Sequence, residues 1–78
     1  MFLIESTQYN ILVDLKKVML MTEKVPNTNE TRLMAFAYKD YKQRYPITLM
    51  TGTEEQCADA IKKIGSAYRQ MPLGRCQI

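Results

Sequence analysis

Bases alternate with tyrosines in one stretch of this 78-residue chain, Tyr38-Lys39-Asp40-Tyr41-Lys42-Gln43-Arg44-Tyr45. Lysine and arginine contact phosphates and tyrosine faces stack on unpaired bases, so Tyr38, Lys39, Tyr41, Lys42, Arg44 and Tyr45 are a candidate site for single-stranded nucleic acid. The plainer reading is a solvated hairpin tip whose tyrosines pack on the hairpin base. Asp40 dilutes the patch, and a net charge of +3 with a pI near 9.0 is a mild bias.

Little else in the chain is equipped to react. There is no histidine, which removes the usual acid/base residue of neutral pH, the Ser-His and Cys-His nucleophiles, and the common zinc sites. Glu54 and Glu55 are adjacent in sequence and serve a helix end rather than a paired-carboxylate centre. Gly52, Gly65 and Gly74 are too widely spaced for a phosphate-binding loop. Cys57 and Cys76 have no metal spacing; a bridge between them needs the C-terminal tail to fold back, and otherwise Cys57 is buried and Cys76 exposed and incidental. Asn29-Glu30-Thr31 fits a glycosylation sequon by pattern alone. The expectation is a non-enzyme with no cofactor and no metal, and no small-molecule substrate is evident.

The elements that must position these residues are led by a helix. Thr53-Glu54-Glu55-Gln56 is a capping box: the Thr53 hydroxyl accepts from the Gln56 N–H while the Gln56 side chain reaches back to the Thr53 N–H. Acidic residues then occupy the first turn and Lys62, Lys63 and Arg69 come later, matching the helix dipole. Cys57, Ile61, Ile64, Tyr68 and Met71 fall on one stripe flanked by Ala60, Ala67 and Gly65, the last read as permitting close approach to a sheet. Pro72 and Gly74 stop the helix.

Before it, Phe2-Leu3-Ile4 begins a strand that a turn at Ser6–Asn10 ends. Ile11-Leu12-Val13 and Val18–Lys24 are extended, with a corner near Asp14; Val25–Glu30 is a polar loop. Thr31–Tyr38 and Tyr45–Met50 pair as a hairpin through 39–44, with Pro46 marking an edge or a bulge. The expected fold is α+β: a small antiparallel sheet of four or five strands on one C-terminal helix (ββββα), a single domain over 1–71 and a tail over 72–78.

That sheet has two apolar faces. Alternation puts Val18, Leu20, Leu33, Ala35, Ala37, Ile47 and Leu49 on one side, which suits a close helix, and leaves Met19, Met21, Met34, Phe36 and Met50 on the other. Leaving such side chains in water costs on the order of 1.5–3 kcal/mol each, large for a small domain. Either the chain's own N-terminal strand and C-terminal tail cover them, or a second chain does; a two-fold homodimer leads the partner list. Methionine adapts to varied surfaces, which suits an interface.

From Ile11 to Met21, through a hairpin, to Thr51-Gly52-Thr53-Glu54-Glu55 opening a helix, the chain resembles small bacterial and phage proteins of ββββα layout such as the flagellar FlbD-like proteins. These often carry a hydrophobic-Asn-hydrophobic corner where this chain has Val13-Asp14-Leu15. The resemblance implies a fold more than an activity. The N-terminus lacks a basic region ahead of its apolar run, and no apolar stretch nears the roughly 20 residues of a membrane helix, so a cytoplasmic protein is expected. The functional expectation is a small interaction domain, self-associating through Met19, Met21, Met34, Phe36 and Met50. The alternatives are nucleic-acid binding through 38–45 and a phage-type inhibitor or adaptor of a host protein.

Overall fold

A computed structural model of the chain describes residues 1–38 and 46–78. Strands β1 (Leu3–Ser6) and β2 (Ile11–Asp14) form a hairpin. A 3-10 turn (Leu15–Lys17) leads into β3 (Val18–Lys24), followed by β4 (Thr31–Ala37), β5 (Ile47–Gly52), helix α1 (Glu54–Gln70) and β6 (Arg75–Gln77). The expected α+β class and single C-terminal helix hold. The single sheet does not: the described residues form two three-stranded sheets, ordered β2-β1-β6 and β3-β4-β5.

The division falls at the corner expected near Asp14. Its carboxylate accepts from the Lys16 N–H at 3.0 Å, an N-cap interaction that turns the chain out of β2 and releases it into β3 in the other sheet. The segment read as a tail is instead a strand. β6 runs parallel to β1, with Leu3 opposite Arg75 and Glu5 opposite Gln77. Bonds from Leu3 N–H to the Gly74 carbonyl (3.0 Å) and from Ile78 N–H to the Glu5 carbonyl (2.8 Å) lock its ends. Cys76 is buried rather than incidental, and neither cysteine is bridged.

The two sheets and the helix enclose one core: Phe2, Ile4, Val13, Val18, Leu33, Ala35, Leu49, Cys57, Ala60, Ile64 and Cys76. The helix therefore lies on the expected face of β3-β4-β5. The first sheet completes the cover on that same side, with Phe2 meeting Tyr68 edge to face at 5.4 Å between ring centres. Thr53 and Gln56 form the capping box, each side chain bonded to the other's backbone N–H, at 3.0 and 2.9 Å. Gly65 is not a close-approach residue. A Cβ built there meets only the Arg69 guanidinium, at 3.8 Å. Gly52 is the constrained one, because a Cβ would collide with the Gln56 amide that closes the capping box.

A bulge corrects one face assignment. Leu33 pairs with Met50 but the next residue, Met34, pairs with Thr48, so β5 carries one extra residue at Leu49. The insertion shifts the phase of alternation. Leu49 is fully buried and Met50 packs against the core beside it, not with the outer methionines.

Candidate interaction surface

With Val18 buried and Leu20 packed on the core, alternation turns Met19 and Met21 to the outer face of the second sheet. The antiparallel register sets Met19 opposite Phe36, Met21 opposite Met34, and Glu23 opposite Arg32. Four of the five expected surface residues are thus brought together, and Met50 is not among them. Met19 is 45% and Met21 47% exposed, on the sheet's margin; Phe36 is half-buried. Met34, between Met21 and Thr48 on the central strand, is 7% exposed and forms the floor. Arg32 pairs with Glu23 at the far end of the row, so the apolar centre is bounded by charge.

The chain's own termini do not cover this surface. Phe2, just ahead of β1, Ile4 of β1 and Cys76 of β6 all enter the core on the opposite side. Ile78 also packs there, and its carbonyl accepts from Thr7 N–H at 2.9 Å.

Of the basic-aromatic stretch, Lys39, Tyr41, Lys42, Arg44 and Tyr45 lie outside the described residues. Tyr38 is 64% exposed and donates its N–H to the Lys17 carbonyl at 3.2 Å. That bond places exposed Lys16 and Lys17 at the same end of the sheet, two bases not included in the sequence-level site. Met1 and Leu73 are exposed apolar residues outside the strands and the helix, which periodicity did not single out; Met71, expected on the apolar stripe of the helix, is its C-cap and is exposed as well.

Among the described residues no three of His, Cys, Asp and Glu gather as a metal would need, and no helix is long and apolar enough to cross a membrane. Burial pushes the Cys57 thiol pKa up. Burial does the same to Cys76, with the Lys63 ammonium opposing it. Both side chains therefore behave as core groups rather than as activated nucleophiles. Cys57 Sγ sits 3.5 Å from the Thr31 carbonyl, a weak bond joining helix to β4. The chain matches no family model, and no curated protein or solved structure matches it significantly.

Proposed function

We propose that this protein is a small non-catalytic interaction domain that self-associates through the outer face of β3 and β4. The observation that carries the reading is the half-exposure of Met19 and Met21 over a floor of Met34 and Phe36, on a face that neither terminus covers. Large apolar groups on one contiguous patch carry a hydration cost that a partner surface removes. Unbranched methionines fit themselves to that surface with little strain. A reducing, cytoplasmic setting accompanies this reading, supported by two buried, unbridged cysteines.

The test is solution mass by light scattering across a concentration series, with Met21→Lys beside the wild type. A dimer that the substitution dissociates supports the reading. A wild type that stays monomeric at high micromolar concentration removes self-association.

Nucleic-acid binding is the second reading, favoured by one observation: exposed Tyr38 stands beside exposed Lys16 and Lys17. Salt-sensitive binding of single-stranded oligonucleotides, weakened by Lys16→Glu with Lys17→Glu, would promote it. No binding at low salt would remove it.

A further inference from the structure

We infer that the partner at this surface is a second copy of the same chain, joined edge to edge through antiparallel pairing of β3 with β3 about a two-fold axis at Leu20. The inference rests on the self-association reading and specifies its geometry.

The first support is the treatment of the sheet edges. β5, one margin of the second sheet, is capped by the β1–β2 hairpin: the Ser6 hydroxyl donates to the Leu49 carbonyl, and the Thr51 N–H donates to the Gln8 side-chain oxygen at 2.8 Å. The outer strands of the first sheet, β2 and β6, are four and three residues long. β3 is the other margin of the second sheet and runs for seven residues. The bond from Tyr38 N–H to the Lys17 carbonyl fixes its phase: Lys17, Met19, Met21 and Glu23 bond toward β4. Leu20, Thr22 and Lys24 consequently turn N–H and C=O outward, and no backbone group among the described residues pairs with those of Leu20 and Thr22. Long edges of this kind accept a further strand unless something blocks them.

The second support is the order of side chains on the outer face. Read along the chain it is Met19, Met21 and Glu23 on the strand, preceded by Lys17 at the end of the 3-10 turn: base, apolar, apolar, acid. Such a row is its own complement when reversed. With Leu20 opposite the partner's Leu20, Met19 meets the partner's Met21, and Lys17, at the end of the turn, comes level with the partner's Glu23, whose carboxylate also holds Arg32 of its own chain. Leu20 exchanges both backbone bonds with its counterpart, and the Thr22 N–H donates to the carbonyl of the partner's Val18. The Val18 N–H takes no part, since it already bonds the Leu15 carbonyl. Lys24 falls opposite the 3-10 turn, off the ladder. The outcome is one continuous six-stranded sheet carrying an unbroken methionine band across the axis.

Two variants separate this arrangement from face-to-face packing of the same methionines. Thr22→Pro removes an N–H that points away from β4, a position where an edge strand tolerates proline. It leaves the monomer folded by circular dichroism and weakens the dimer roughly tenfold or more. Met19→Cys with Met21→Cys places thiols on non-hydrogen-bonded cross-strand positions, about 4.5 Å apart at Cα and within disulfide reach. Under oxidised glutathione the double variant gives a covalent dimer and neither single variant does. A Thr22→Pro protein that folds and dimerises as well as wild type, or single variants that cross-link as readily as the double, overturns edge pairing while self-association stands. If Thr22→Pro does not fold, the cross-linking pattern alone decides. A monomeric wild type overturns both.

Discussion

At Gly65 the absent side chain has no structural use. It lies inside the helix with room for a methyl group, and glycine costs about 1 kcal/mol against alanine in such a position. Gly65→Ala is expected to raise stability by about that amount in urea denaturation. An unchanged or lowered midpoint would mean that the helix packs more closely there. The two thiols set a pH dependence. Each has a folded-state pKa raised by burial above the ordinary thiol value of 9.0, so the folded state holds protons that the unfolded chain releases. Their contribution is full below that value and is lost as pH rises through the folded pKa, by up to about 1.4 kcal/mol per pH unit for each thiol. Melting temperature is expected to fall above pH 9.0, less steeply in Cys57→Ala, which removes one of the two groups. Ser6 marks where residue-level reading stops. Among Thr, Gln and Asn it has turn composition, yet it is a buried strand residue whose hydroxyl bonds a carbonyl 43 positions away. Nothing local in the sequence carries that pairing.

At the level of elements, the helix was legible because its determinants are local: the cap, the charge order and the apolar spacing all lie within it. Thr53→Ala breaks the capping box and is expected to cost about 1 kcal/mol. Gly52→Ala is expected to cost less, because the added carbon displaces only the flexible Gln56 amide and leaves the Thr53 hydroxyl accepting from the Gln56 N–H. Thermal melts of the two single variants and the double check this: a shared mechanism makes their effects less than additive. β3 and β4 were legible from alternation, and with them the outward aim of Met19 and Met21. Met50 was not, since a single inserted residue at Leu49 reverses the phase downstream and period-two reading has no means of detecting it. The basic-aromatic stretch was equally plain as a sequence, but only Tyr38 of it falls within the described residues.

Across the whole molecule, the error in the expected fold has one source, the β1–β6 pairing. Arg75-Cys76-Gln77 is too short and too polar to read as a strand, and only the distant β1 makes it one. The two-sheet arrangement follows from it, because a hairpin with a second neighbour of its own need not join β3. Truncation after Leu73 removes buried Cys76 and the backbone bonds to Leu3, Glu5 and Thr7, and uncovers Ile4. The expected loss is on the order of 3–5 kcal/mol, comparable to the total stability of a small domain. Loss of the cooperative urea transition would report it; a truncated chain that melts like wild type would show β6 to be dispensable.

The same parallel pairing orders events during translation. β1 is synthesised before β6 and waits for its second neighbour until β6 has been made, so the layer stays half-built while every element between them is added. Every residue that closes the layer joins distant parts of the polypeptide, a topology that folds slowly. Until β6 arrives, the nascent protein depends on its middle hairpin and on whatever shields Phe2 and Ile4.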